Sequence, residues 1–182
     1  DAFDGLGQAA EAFAAYQASS ATLREFYQSR FAAPGIETAF MNVTRLKEYF
    51  SSASLEHWTA RPVVATRSPV STHVFLVGFP RSGTTLLEQI LAAHPDIESL
   101  EERDNLIDAA NDFLIDSEGV GKLEEIGVGE LEIYRQKYWT RVQESGTRLK
   151  QPIFVDKMPL NTVLLCLIAK LFPAAKILFA LR

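Results

Sequence analysis

The stretch HVFLVGFPRSGTTLLEQILAA, residues 73–93, constrains the fold of this 182-residue chain more than any other. Residues 74–77 form a continuous apolar, β-rich run, which is typical of a strand with both faces buried. A glycine-bearing loop follows at 78–83, and apolar residues then recur at helical spacing over 84–91. A strand, such a loop and a helix start direct backbone N–H groups and the positive end of a helix dipole at one anion. The stretch therefore predicts a phosphate-binding loop.

This loop departs from the usual nucleotide-binding pattern at one position. Its spacing from Gly78 to Thr85 follows G-x-x-x-x-G-K-[ST], but Thr84 occupies the place of the phosphate-binding lysine. We therefore expect a phosphate cradle that does not serve ordinary ATP hydrolysis.

Composition and charge narrow the class of protein. The sequence is 47% hydrophobic and 23% charged, as in an ordinary soluble globular domain. Its net charge of −5 argues against a general nucleic-acid surface but is compatible with a local basic pocket for a small anion. A single cysteine, Cys166, excludes an intramolecular disulfide and suits a reducing compartment, so a cytoplasmic location is expected. Because the sequence has no apolar run of about 20 residues and no signal pattern, no membrane association is expected.

The N-terminal third predicts helices. Residues 1–30 are Ala-rich with aromatic residues at helical spacing, and residues 37–59 carry an apolar stripe of Phe40, Val43, Leu46 and Phe50 that predicts core packing. Residues 61–72, with two prolines and scattered Ser and Thr, predict an extended linker. The expected organisation is a helical extension over 1–60, this linker, and a main domain over 73–182.

The remainder of the chain predicts a parallel sheet. Helices are expected over 101–115, around residues 119–129 and over 131–144, followed by a strand at 153–155, a helix over 159–171 and a third buried strand at 176–182. This alternation predicts an α/β fold, a P-loop-like parallel sheet flanked by helices with right-handed crossovers. Because the chain ends on a strand, we expect a domain that is truncated at its C-terminus.

The loop PRSGTT, residues 80–85, resembles the 5′-phosphosulfate-binding loop of sulfotransferases that use 3′-phosphoadenosine-5′-phosphosulfate (PAPS). Its arginine makes it similar to tyrosylprotein sulfotransferases and to bacterial sulfotransferases that follow tetratricopeptide repeats. The segment with Leu6-Gly7, Glu11-Ala12-Phe13 and Tyr16 also resembles the second helix of such a repeat. An amphipathic helix of no family, packed on the main domain, is the alternative. The resemblance implies metal-independent transfer of a sulfuryl group from PAPS to a hydroxyl or amine acceptor, with the 3′,5′-bisphosphate PAP as product.

The resemblance assigns the donor site to the loop and to one residue beyond it. The N–H groups and hydroxyls of the loop would hold the 5′-phosphosulfate, and Arg81 would place a planar, fixed positive charge beside the leaving phosphate. The residues concerned are Arg81, Ser82, Gly83, Thr84 and Thr85. Arg182, at the carboxyl end of the last strand, would contact the 3′-phosphate.

Glu102 is the expected catalytic base. An attacking hydroxyl must lose a proton, and AHPDIESLEE, residues 93–102, is similar to the segment that carries the catalytic glutamate in tyrosylprotein sulfotransferases. The similarity ends at Arg103-Asp104, and Glu101 is the alternative by register. From the residues alone, an acidic pair at a helix start could simply compensate the helix dipole.

Lys157 follows the second strand and resembles the lysine that these sulfotransferases direct at the transferring group. The competing interpretation makes residues 153–156 a Walker B strand in which Asp156 arranges Mg²⁺, as in a P-loop kinase or NTPase using ATP. A third alternative is a non-catalytic interaction protein whose repeat helices bind a protein partner. The acceptor stays open among a peptide tyrosine, a carbohydrate and a small molecule.

Overall fold

The computed structural model describes residues 2–31, 37–58 and 68–181. Within them the elements are α1 (Ala2–Gly5), α2 (Ala9–Phe31), α3 (Ala39–Ser52), α4 (Leu55–Trp58), β1 (Thr72–Gly78), α5 (Thr84–Ala92), β2 (Ile97–Glu101), α6 (Ile107–Phe113), α7 (Ser117–Glu125), α8 (Val128–Glu144), β3 (Ile153–Lys157), a 3₁₀ turn (Pro159–Leu164), α9 (Leu165–Leu171) and β4 (Lys176–Ala180). None of these helices is both long enough and apolar enough to cross a membrane. The chain divides into two compact units, residues 1–45 and 46–182.

The first unit is helical, as the sequence predicts. α1 and α2 pack together, and the aromatic and aliphatic residues that recur along α2 are exposed. The likeness of this segment to a tetratricopeptide repeat stays a prediction. Most of the expected linker, residues 61–67, lies outside the described residues.

The apolar stripe on α3 is only half buried. Leu46 belongs to the core of the second unit and Phe50 packs against that core, whereas Phe40 and Val43 are exposed. The prediction of core packing is therefore wrong for the first two residues. Helical periodicity identifies one face of a helix, but it does not reveal how far along that face the core extends.

The second unit is built on a parallel sheet with strand order β2-β3-β1-β4. The ladders pair Leu76 of β1 with Lys157 of β3, and Glu101 of β2 with the same lysine. On the other side of β1, Gly78 pairs with Ala180 of β4. Because all strands run in the same direction, their carboxyl ends meet at one edge, where open α/β sheets place their ligands. The predicted α/β class is confirmed.

The two faces of the sheet bury different clusters. Val74 and Leu76 of β1 and Val155 of β3 pack with Leu87 of α5 on one face. The opposite face carries the larger core, to which α6, α7, α8 and α9 contribute. Its strand residues are Phe75, Val77 and Phe154. Side chains alternate between the two faces along a strand, so consecutive residues at the carboxyl edge point toward different clusters.

Residues 97–101 form a strand, β2, where the sequence predicts none. The helix expected from residue 101 instead begins at residue 107. β2 is short and rich in glutamate, which lowers strand propensity, and its existence depends on the ladder with β3, more than 50 residues away. A local pattern could not reveal this pairing.

β4 differs from its prediction in burial. The apolar run at its centre predicts a buried strand, but Ile177, Leu178 and Phe179 are exposed. Within the part of the chain that is described, β4 pairs only with β1 and lies at the edge of the sheet. The expectation of a buried third strand is therefore wrong for these residues, because composition cannot tell an edge strand from a central one.

Candidate active site

The loop between β1 and α5 has a strained backbone. Gly83 immediately precedes α5 with φ of 90°, and Arg81 has φ of 72°. Glycine adopts such left-handed conformations freely, but a residue with a Cβ does so at a cost of about 1–2 kcal/mol. The Ser82 N–H donates to the Phe79 carbonyl at 3.1 Å and closes the turn. Strain of this kind concentrates at ligand-binding sites, where the surrounding structure maintains it.

Gly78 at the end of β1 leaves no room for a side chain. A Cβ there would lie 2.8 Å from the Ala180 carbonyl oxygen and 2.9 Å from the Ser82 Oγ. The Gly78 carbonyl accepts a hydrogen bond at 3.0 Å from Thr162 of the 3₁₀ turn. The loop, β4 and the 3₁₀ turn therefore converge on this glycine.

A cleft of about 610 Å³ opens over the loop. That volume is within the usual range for small-molecule sites. Its lining residues are Pro80, Arg81, Ser82, Gly83, Thr84, Thr85, Glu102, Met158, Pro159 and Leu160. Part of the lining is thus the predicted phosphate cradle, and another part is the start of the 3₁₀ turn. All five loop residues that the sequence assigns to the donor site line this cleft.

Ser82 presents a polar atom without a partner. Its Oγ is buried and has no hydrogen-bond partner among the described residues. A buried hydroxyl left in this way costs free energy unless an acceptor reaches it. The cradle therefore offers an unused hydrogen bond to an anion, in addition to the N–H groups at the start of α5.

Lys157, at the end of β3, does not itself line the cleft, but it contacts two residues that do, Thr85 and Glu102. Its side chain is 0% exposed, and its Nζ donates to Glu101 Oε1 at 2.6 Å, Glu102 Oε1 at 2.8 Å and Thr85 Oγ1 at 3.4 Å. Burial lowers the pKa of Lys157, but hydrogen bonds and charge attraction from the two glutamates outweigh it and raise that pKa above its usual value. The lysine is therefore a fixed positive charge.

Glu102 has a left-handed backbone, with φ of 48°. Its N–H donates to the Lys157 carbonyl at 2.8 Å, and its half-exposed side chain borders the cleft. Glu101, the alternative by register, binds the same ammonium group but does not line the cleft. The structure thus brings Glu102, Lys157 and Thr85 together, although they lie far apart in sequence.

The remaining predicted site residues have different positions. Arg81 is exposed on the rim of the cleft. Arg182 lies outside the described residues. Asp156, the Walker B candidate, is 0% exposed and faces the larger core, where its Oδ2 accepts hydrogen bonds from Tyr138 at 2.7 Å and Asn105 at 3.2 Å. It is not part of the cleft lining.

Sequence reasoning missed the polar network around Asp156. The Tyr138 hydroxyl also contacts His73 Nε2 at 2.8 Å, which joins β1, α8 and β3 in one chain of hydrogen bonds. Burial raises the pKa of Asp156 to about 6 and lowers that of His73 to about 3. No short spacing links these residues. Alternation along β3 could have indicated that Asp156 and Lys157 point to opposite faces.

Comparison with known proteins gives two matches. The sequence profile of the sulfotransferase family matches residues 73–182. An uncharacterized protein from Aquifex aeolicus is 33% identical over 122 residues. That alignment covers 63% of this chain and 16% of the relative, so the chain spans only a small part of the relative's length. The matched residues include the loop, Glu101, Glu102 and Lys157.

Proposed function

The chain belongs to the sulfotransferase family, and from this premise we propose that it transfers a sulfuryl group from PAPS to a hydroxyl or amine acceptor. The observation that carries the proposal is the position of Lys157, a buried cation between Thr85 of the phosphate cradle and Glu102. A cation and a carboxylate beside one anion cradle are the groups that this transfer needs. The acceptor oxygen or nitrogen bonds to sulfur, the bond from sulfur to the bridging phosphate oxygen breaks, and PAP leaves.

The loop would hold the donor. The N–H groups of Gly83, Thr84 and Thr85, at the positive end of α5, suit the 5′-phosphosulfate, and the unpartnered Ser82 hydroxyl supports the fit. The Ser82 N–H, which the sequence also assigns to the donor, instead donates to the Phe79 carbonyl. Arg81 on the rim would bind two oxygens with its planar guanidinium group. Arg182 stays the expected contact of the 3′-phosphate.

Lys157 would stabilise the negative charge that develops on the bridging oxygen as the bond to sulfur breaks. Such a preorganised charge in a water-poor site is the largest contribution to many enzymatic rates. An ammonium group has three donors, and Lys157 already uses them on Glu101, Glu102 and Thr85. The contact to Thr85, at 3.4 Å, is the longest, so we expect the donor oxygen to replace it and to free the Thr85 hydroxyl for the phosphosulfate.

Glu102 would take the proton of the acceptor. Its carboxylate borders the cleft and contacts Lys157. We expect the acceptor to approach the sulfur from this side, opposite the leaving phosphate. Glu101 would keep the ammonium group in place while Glu102 exchanges its contact to Lys157 for one to the acceptor. The class of acceptor stays open among peptide tyrosine, carbohydrate and small molecule.

The kinase alternative receives no support from the site geometry. It needs Asp156 to reach a Mg²⁺ ion bound with the phosphates, but this carboxylate is fully buried on the other face of the sheet. Hydrogen bonds from Asn105 and Tyr138 also hold the Asp156 carboxylate there.

A transfer assay with radiolabelled PAPS tests the proposal. The chain is offered a tyrosine-containing peptide, an oligosaccharide and a simple phenol, without added metal. We expect transfer to at least one of them, reduced at least a hundredfold in Glu102→Gln and unchanged in Glu118→Gln, an exposed glutamate of α7. No transfer to any acceptor class would contradict the proposed activity.

A further inference from the structure

Glu102 has a left-handed backbone conformation that glutamate does not favour, so contacts with neighbouring residues must stabilise it. A glutamate at φ of 48° is about 1–2 kcal/mol less favourable than in an extended or right-handed conformation. Such a conformation persists only where neighbouring contacts fix it. One contact is the hydrogen bond from the Glu102 N–H to the Lys157 carbonyl. A single bond at one end would leave the turn free to relax at the other.

The second contact comes from Asn105. This side chain is 4% exposed, and its Nδ2 donates to Asp156 Oδ2 at 3.2 Å. The Asn105 N–H also donates to the Arg103 carbonyl at 2.9 Å, which tightens the turn. Residues 102–105 are thus attached at both ends to two consecutive residues of β3.

The carboxylate that receives Asn105 is itself held in one orientation. A pKa of about 3 keeps His73 neutral, with one ring proton. Because the Tyr138 hydroxyl donates its own proton to Asp156, the ring proton of His73 must lie on Nε2 and point to Tyr138. His73 Nδ1 is then an acceptor, and it has no partner among the described residues. The chain of donors ends on Asp156 Oδ2.

We propose that Asn105 and Asp156 form a positioning pair that holds Glu102 against Lys157 and in the cleft. Neither side chain lines the cleft, so the pair acts through the backbone of residues 102–105 and not through contact with substrate. The role of Glu102 as base rests on the proposed function, whereas the support of its backbone does not. Burying a carboxylate costs free energy, but the two hydrogen bonds that Asp156 Oδ2 accepts fix a geometry that an apolar residue would not. The other oxygen, Oδ1, has no partner among the described residues.

Hydrogen exchange of backbone amides tests the support directly and needs no activity. In Asn105→Ala, we expect the Glu102 amide to exchange at least tenfold faster than in the unchanged chain. The Met158 amide, which donates to the Leu76 carbonyl in the same region, should keep its rate. Asp156→Asn retains an acceptor for Asn105 and should preserve the protection of Glu102. Unchanged Glu102 exchange in Asn105→Ala would overturn the inference.

A double-variant cycle tests the consequence for catalysis. We expect Asn105→Ala to lower kcat at least tenfold while the Kd for PAP changes less than twofold, since the loop is untouched. Added to Glu102→Gln, it should cause no further loss, because both changes remove the same positioned carboxylate. Val120→Ala, a core truncation outside the network, controls for destabilisation and should leave kcat unchanged.

The outcomes separate the two proposals. Full activity of Glu102→Gln would remove the base assignment and leave the exchange result as the measure of the positioning pair. Loss of activity in Glu102→Gln with normal kcat in Asn105→Ala would overturn the positioning pair alone. An additive loss in the double variant, or an equal loss of kcat in Val120→Ala, would also overturn it.

Discussion

Asp156 and Lys157 are consecutive residues of β3 whose side chains leave the sheet on opposite faces. Lys157 points to Glu101, Glu102 and the loop residue Thr85, and Asp156 points to the core network. Two consecutive residues of β3 therefore have different roles. One residue supplies charge beside the phosphate cradle, and the other anchors the segment that carries Glu102.

Replacement of Lys157 should abolish most catalysis. Lys157→Met keeps the length of the side chain but leaves Glu101 and Glu102 side by side without a cation, so we expect kcat to fall about 10²–10³-fold, as for loss of a key electrostatic group. Lys150→Met, at an exposed lysine, is the matched control and should retain full activity. The measurement is the rate of sulfuryl transfer at saturating donor. Activity of Lys157→Met within threefold of the unchanged chain would refute the assigned role.

Gly78→Ala should disrupt the cradle and destabilise the fold. The new Cβ would lie 2.8 Å from the Ala180 carbonyl oxygen, and backbone cannot withdraw as a flexible side chain can. We expect a loss of about 1–3 kcal/mol in unfolding free energy, measured by urea denaturation, and weaker PAP binding. Gly121→Ala is the control, because nothing lies within 4 Å of its Cβ and its site is helical. That change should leave stability the same or raise it by about 0.5–1 kcal/mol.

The buried residues His73 and Asp156 should make the free energy of unfolding depend on pH in opposite directions. Burial raises the pKa of Asp156 from 3.8 to about 6, so the folded state binds more protons than the unfolded state. The contribution of Asp156 to stability therefore falls as pH rises from about 4 to 6. Burial lowers the pKa of His73 from 6.5 to about 3, so the contribution of His73 to stability rises with pH from about 3 to 6.5. The two contributions largely cancel between pH 4 and 6.

Single variants should reveal each contribution. Relative to the unchanged chain, the unfolding free energy of Asp156→Asn should increase with pH between 4 and 6, by at most about 1.4 kcal/mol per pH unit. That of His73→Gln should decrease with pH above about 3, up to pH 6.5, because the variant loses the rising contribution of His73. Denaturation curves at pH 4, 5 and 6 measure both differences. Two differences that do not vary with pH would mean that neither group titrates as described.

Local patterns predicted the loop and much of the sheet. The apolar run 74–77 and the glycine spacing fixed β1 and the start of α5, because both depend on neighbours in sequence. β2 was missed because five residues containing two glutamates become a strand only by pairing with β3. The exposure of Phe179 was missed because an apolar run does not report whether anything covers it.

The site divides in the same way. Spacing and resemblance predict that the loop residues from Arg81 to Thr85 form one site, and these residues line the same cleft. The resemblance also indicated Glu102 and Lys157, and the parallel ladder that joins β2 and β3 brings them together. Asn105 and Tyr138 carry no sequence signal for their contact with Asp156, since they reach it from different elements in three dimensions.

Calorimetric titration with PAP in the absence of metal tests the central claim most directly. We predict that PAP binds without Mg²⁺, that Arg81→Ala weakens this binding at least tenfold, and that Arg148→Ala, at an exposed arginine outside the cleft lining, leaves it unchanged. ATP with Mg²⁺ should bind more weakly than PAP. Binding of ATP only with Mg²⁺, or PAP binding that is indifferent to Arg81→Ala, would contradict a sulfotransferase donor site in this cleft.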